Sequence, residues 1–170
     1  MFNIGDFVVY GRTGICEVTD ITTMKMTGVP KDKLYYILMP CKDKSGKIFT
    51  PVENGKVVIR PVITKEEAME LLSQISEIPE LWIPNEKMRE NMYKECIRSC
   101  ECVELIKIIK TLYIRKRDRI AQGKKITATD ERYLKMAEGS LYSELSMALG
   151  IPENEMETYI TEYIEEQKRI

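Results

Sequence analysis

The sequence predicts an α+β fold: a small curled sheet or barrel of about 60 residues, followed by an all-α helical bundle. Two observations carry this. The first third is rich in glycine, β-branched residues and turn signals, and it holds five short strand candidates. From Thr64 onward the apolar period lengthens from two to the helical 3.6. A chain of 170 residues is long enough to bury roughly 70% of its unfolded surface, so one domain or two small ones are both feasible.

Phe7-Val8-Val9-Tyr10 opens the β part, entered through Gly5-Asp6. Gly11-Arg12-Thr13-Gly14 then permits a tight turn, because two glycines tolerate backbone that other residues avoid. Ile15 to Ile21 alternates as a second strand, with Ile15, Glu17, Thr19 and Ile21 on one face and Cys16, Val18 and Asp20 on the other. Leu34 to Met39 is a third strand, dense in β-forming side chains. The polar stretch Lys42 to Lys47 makes a hairpin turn into Ile48-Phe49-Thr50-Pro51-Val52. Glu53-Asn54-Gly55 resembles a strand-ending turn, and Val57-Val58-Ile59-Arg60 supplies the last strand.

Thr64-Lys65-Glu66-Glu67 fits a capping box, and Ala68, Leu71, Leu72 and Ile75 form the first helical stripe. Pro79 and Pro84 bracket an irregular connector that contains Trp82. Helices are expected over 85–99 and 101–121, the latter with Val103, Ile106, Ile109, Leu112 and Tyr113 inward. Gly123 ends that helix and Thr127 caps the next, whose stripe is Tyr133, Leu134, Ala137, Leu141, Leu145 and Ala148. Gly150 stops it. Pro152 suits the first turn of a final helix reaching about Gln167.

Composition removes several function classes. With no histidine, every mechanism that uses an imidazole base or ligand is excluded. No apolar run approaches the roughly 18 residues of a membrane span. The first residues lack the basic and apolar regions of a signal peptide, which points to the cytoplasm and to free thiols at Cys16, Cys41, Cys96, Cys100 and Cys102. Cys96, Cys100 and Cys102 form the one thiol cluster, with Cys96 and Cys100 at a four-residue helical spacing. It has no Cys-x-x-Cys pair and no imidazole for a fourth ligand, and only distant Cys16 or Cys41 could complete a four-thiolate set, so small buried thiols are the simpler reading. No cofactor and no metal are expected, and no enzyme.

Charge is distributed unevenly. Residues 1–63 hold 9 basic and 6 acidic side chains, residues 64–125 hold 13 and 11, and residues 126–170 hold 4 and 10. The overall charge of −1 therefore conceals local fields that can attract an anion. Lys110, Arg115, Lys116, Arg117 and Arg119 crowd one helix end, with Lys124 and Lys125 just beyond. They suit either a solvated helix terminus or phosphate contact. Trp82 is the sole tryptophan, ahead of a helix bearing Lys87, Arg89, Lys94 and Arg98, and can serve as a core anchor or stack on bases.

Read in order, these segments resemble the CarD family of bacterial transcription regulators. The resemblance rests on Ile4-Gly5-Asp6-Phe7-Val8-Val9-Tyr10, Thr50-Pro51-Val52-Glu53-Asn54, Trp82, Arg89-Glu90-Asn91, Leu105 to Leu112, Thr127 to Arg132, and Leu141 to Leu145. It implies a Tudor/SH3-like barrel over 1–63 that docks on the RNA polymerase β subunit, and a helical domain over 64–170 that contacts promoter DNA. The implied action is stabilisation of the open promoter complex at the upstream edge of the bubble, without sequence readout and as a monomer. On this resemblance Trp82 is the wedge and Arg89 a DNA contact; the basic cluster adds Lys116, Arg119, Lys124 and Lys125 as expected phosphate contacts. Polymerase contacts fall on Met24, Lys25, Lys47, Ile48, Phe49 and Pro51. Two alternatives stand beside it: a free-standing non-specific nucleic-acid-binding protein, and a thiol-based redox or metal sensor.

Overall fold

A computed structural model of the chain describes residues 1–53 and 55–170. They fall into two compact units, Met1–Val62 and Ile63–Ile170.

In the first unit the strands are β1 (Phe7–Tyr10), β2 (Gly14–Thr23), β3 (Leu34–Pro40), β4 (Ile48–Pro51) and β5 (Ile59–Pro61). They form one antiparallel sheet in the order β4-β3-β2-β1-β5. The sheet is open: no ladder joins β4 to β5 among the described residues, so the architecture is a curled sheet rather than a closed barrel. Its two edges are only four and three residues long, which leaves little backbone for closure. Val57 and Val58, read from their β-branched character as strand, lie before β5 and are exposed. The turn read at Glu53-Asn54-Gly55 falls on Asn54, which lies outside the described residues.

One face of the sheet carries the core, with Val8, Cys16, Val18, Tyr36 and Leu38 buried. The simple alternation of β2 fails at one place. The register steps from Val18 opposite Leu38 to Asp20 opposite Ile37, so Thr19 is an extra, bulged residue. Its hydroxyl donates to the Ile37 carbonyl at 3.1 Å. Beyond the bulge the faces exchange, and Ile21 packs on the core while Asp20 is exposed. Gly11 sits at φ +46°, and a Cβ there would meet the Val57 side chain at 2.7 Å, so this turn requires glycine.

The second unit contains α1 (Lys65–Gln74), α2 (Glu86–Ser99), α3 (Cys102–Ala121), α4 (Ala128–Leu149) and α5 (Met156–Arg169). The capping box forms: the Thr64 hydroxyl accepts from the Glu67 amide at 3.1 Å, and Glu67 accepts from the Thr64 amide at 2.7 Å. α4 meets each of the other four helices, and α3 packs between α2 and α4. The buried set of α3 is Cys102, Leu105, Ile106, Ile108, Ile109 and Leu112, while Val103 and Tyr113 are exposed. A helix covered on more than one side buries a broad face, and a single stripe drawn at three-residue steps slides off it. Pro152 precedes a short 3-10 turn, Glu153–Glu155, and α5 begins only at Met156. The Ser146 hydroxyl, donating to the Ile151 carbonyl at 2.5 Å, holds the chain reversed ahead of that turn.

Candidate nucleic-acid interface

The connector between α1 and α2 is irregular but fixed. The Leu81 amide donates to the Thr111 hydroxyl at 2.8 Å, and Lys110 donates to the carbonyls of Ile75 and of Ile78, the latter at 2.6 Å. Burial makes Lys110 easier to deprotonate than an ordinary lysine. Leu81 and Ile83 pack on the helical core. Between them Trp82 points outward and is 78% exposed. An indole left in water between two inward-facing neighbours is no core anchor. It is a large apolar surface held ready on a stapled backbone.

Arg89 takes a different place from the one its charge suggests. Its guanidinium is bidentate to Glu86, with contacts from 2.8 to 3.2 Å, and donates to the Tyr93 hydroxyl at 3.0 Å. Tyr93, fully buried, donates in turn to Asp130 at 3.3 Å. Asp130 accepts from Arg115 at 2.7 Å, and Arg115 returns to Glu86 at 3.4 Å. The result is a closed polar ring across α2, α3 and α4. The hydrogen bond from Arg89 holds the Glu86 carboxyl below the usual range, and the same bond keeps Arg89 more firmly protonated. Burial pushes the Tyr93 phenol up.

Beside this ring lies a shallow depression of about 350 Å³, lined by Glu80, Arg89, Arg115, Asp118 and Arg119 among others. Arg119 is half-buried and donates to the Lys125 carbonyl at 2.8 Å, bracing the loop after α3. Lys124 and Lys125 are exposed on that loop, and Lys116 is half-buried on α3. Arg89 and Arg119 thus share one concavity, Lys124 and Lys125 lie on the loop that Arg119 braces, and Trp82 follows the lining residue Glu80 by two positions in the chain. The sequence reading missed Glu86, Tyr93, Arg115 and Asp130 as a set. Only the 86/89/93 helical spacing signalled part of it, since Arg115 and Asp130 come from other helices.

The residues expected to contact the polymerase fall along the edge strand β4 and just past the end of β2. Ile48, Phe49 and Pro51 lie on the edge strand β4, and Lys47 leads into it. Phe49 opposes Ile37 on the face away from the core and is 49% exposed, whereas Ile48 packs on the core. Met24, half-buried, and Lys25, exposed, follow the end of β2, where Thr23 opposes Leu34. Leu34 accepts from the Val52 amide at 3.0 Å, which brings that end beside Pro51. Tyr35, Ile37 and Met39 share the outer face with Phe49 and Pro51, which strand alternation could have revealed.

The thiols do not assemble. The helix ends at Ser99, and Cys100 is its left-handed cap at φ 58°, so Cys96 and Cys100 do not share a helical face. Cys96 approaches Glu104 at 3.6 Å, and Cys102 donates to buried Glu144 at 3.3 Å. Burial raises the Cys96 thiol to about 11, away from the thiolate that metal binding or oxidation needs. Among the described residues no group of three cysteine or carboxylate side chains could hold a metal ion.

Two family models match the chain. The model described as CarD-like/TRCF RID domain covers residues 2–63, and that described as CarD, C-terminal domain covers residues 67–161. The chain belongs to the CarD family. The two matches follow one another along the chain, and between them they cover most of the sequence. CarD-family membership makes this a CarD-like transcription regulator. Among the described residues no helix is long and apolar enough to cross a membrane.

Proposed function

We propose that this protein binds the RNA polymerase β subunit through residues 1–63 and stabilises the open promoter complex through residues 64–170. The observation that carries the reading is Trp82. It is a solvent-facing indole on a connector hydrogen-bonded to α3, two residues along the chain from Glu80 of an arginine-lined depression, in a chain of the CarD family. A wedge of this kind costs the duplex a few kcal/mol of unstacking, most of which is already spent at the edge of a melted bubble. Binding that junction better than closed duplex shifts the promoter equilibrium by the difference in affinity alone. The arginines and lysines around it contact phosphate, which positions the indole without reading sequence.

Docking on β draws on backbone hydrogen bonds and on a small apolar patch of side chains. An exposed edge such as β4 adds a strand to a partner sheet through backbone hydrogen bonds, with Phe49 and Ile37 as apolar contacts beside it. Tethered in this way, a weak DNA contact works at high effective concentration, so a net charge of −1 is no obstacle. The protein acts as a monomer in the cytoplasm. The test is capture of purified β subunit by the full chain, together with the lifetime of open complexes in heparin-challenged transcription. Capture and a lengthened lifetime are expected. Absence of capture sinks the docking, and an unchanged lifetime sinks the stabilisation.

A further inference from the structure

Lys110 and Thr111 are neighbours on α3, and both give their polar atoms to the connector that carries Trp82. Lys110 donates to the carbonyls of Ile75 and Ile78, the latter at 2.6 Å. Ile75 caps the end of α1, where a helix leaves carbonyls that need an acceptor's partner from outside and where its dipole favours a cation. Glu80, in the same connector, supports the charge on Lys110, while burial opposes it. Its place in the basic cluster of α3 made Lys110 a candidate for phosphate, but its hydrogen bonds go to backbone.

Thr111 is 8% exposed, and its hydroxyl is committed in two directions. Its one proton goes to the Lys107 carbonyl at 2.7 Å, which leaves a lone pair for the Leu81 amide at 2.8 Å. Leu81 directly precedes Trp82. Pro79 and Pro84 carry no amide, so the connector has few donors of its own with which to hold a shape. The face of α3 that bears Thr111 carries Arg115 and Arg119 one and two turns farther on, and all three line the depression. Four residues rise about 6 Å along a helix, so the backbone beside Trp82 is tied to α3 at about 6 and about 12 Å from where the two arginines leave it.

We infer that Lys110 and Thr111 are positioning residues for Trp82, fixing the connector on α3 so that the indole and the arginines meet one stretch of nucleic acid together. The inference rests on the reading of Trp82 as a wedge and adds the device that holds its backbone in place. A loose connector presents the indole correctly only part of the time, and apparent affinity falls by that fraction. Both residues act through Trp82 and need no contact with nucleic acid.

The experiment titrates variants of the full chain against a labelled forked duplex, a mimic of the bubble edge, by fluorescence anisotropy across a salt series, with thermal melting of each sample. Thr111→Val keeps the side-chain shape and removes both hydrogen bonds, whereas Thr111→Ser keeps both. Ile108→Val, in the fully buried core of the same helix, controls for lost stability. Thr111→Val should bind the fork about fivefold more weakly, while Thr111→Ser and Ile108→Val bind like the wild type. In a Trp82→Ala background, Thr111→Val should change affinity by less than about 1.5-fold, because two changes acting through one contact do not add. Lys110→Met, the second variant should Thr111→Val fail to fold, should also weaken binding about fivefold and add nothing to Trp82→Ala. It should leave the log–log salt slope unchanged, where a lost phosphate contact removes about 0.9. Wild-type binding by Thr111→Val, failure of Thr111→Ser to restore it, or an equal loss from Ile108→Val overturns the inference and leaves the wedge standing. So does a loss from either variant that persists without Trp82, or a reduced salt slope for Lys110→Met. Wild-type binding of the fork by Trp82→Ala removes the wedge itself, and this inference with it.

Discussion

Glu86 offers one exposed carboxylate to two guanidinium groups, and a phosphate arriving at Arg89 or Arg115 must compete with it. Removing that competitor should help DNA. Glu86→Gln is expected to strengthen duplex binding about threefold, the worth of an exposed ion pair, and to change folding stability by less than about 1 kcal/mol. Unchanged or weaker binding in anisotropy would show that the ring serves the fold alone. Trp82 gives the complementary case. At 78% exposure it supplies almost no core, so Trp82→Ala should alter folding stability by less than about 0.5 kcal/mol. The open complex should lose about 1–3 kcal/mol, the scale of one base–aromatic contact. A fall in melting temperature with a normal complex lifetime would refute the wedge. The indole was legible in the sequence because no periodic stripe claimed it. The commitment of Arg89 to Glu86 and Tyr93 was only half legible, since a charge near a tryptophan says nothing about the partner that already holds it.

At the scale of elements, the locally written features could be read directly: the Thr64 capping box, the Thr127 cap and the Gly150 stop at φ +69°. What could not be read depends on partners. The bulge at Thr19 is specified by the register with β3, and it moves Ile21 to the core face, where simple alternation would not put it. The broad buried face of α3 exists because helices cover it on more than one side, which no single-helix pattern records. β4 yields a prediction at this scale. Its neighbours Ile48 and Thr50 face inward, so a change at outward-facing Phe49 leaves the core untouched. Phe49→Asp should therefore melt near the wild type yet weaken β-subunit capture about tenfold or more, as loss of a central aromatic contact does. Normal capture would move the docking away from this edge.

Over the whole molecule, each unit keeps its own buried thiol. Burial raises Cys16 to about 11 in the first unit and Cys96 to about 11 in the second, against an ordinary value near 9. A proton held more tightly in the folded state supports the fold fully below pH 9, and that support is lost as the pH climbs through 11. Stability measured in urea should accordingly fall over this window. Cys16→Ala should flatten the fall in the first unit and Cys96→Ala in the second; a decline indifferent to both would assign it to other groups.

The same separateness governs the division of labour. The place to divide the chain is set by a single bond: the Ile63 amide donates to Glu144 at 3.0 Å, and Glu144 is 2% exposed. A cut after Ile63 would strip this donor from a buried carboxylate, whereas a cut after Val62 keeps it within the helical unit. Each fragment then retains its own core, Val8 to Leu38 in one and the α1 to α5 cluster in the other. Fragment 1–62 is expected to capture the β subunit as the full chain does, and fragment 63–170 is expected to fail. The two mixed without a linkage should not lengthen open-complex lifetime at concentrations where the intact chain does, because the tether supplies the effective concentration that a weak DNA contact lacks. Capture by 63–170, or full activity from the unlinked pair, would refute this division.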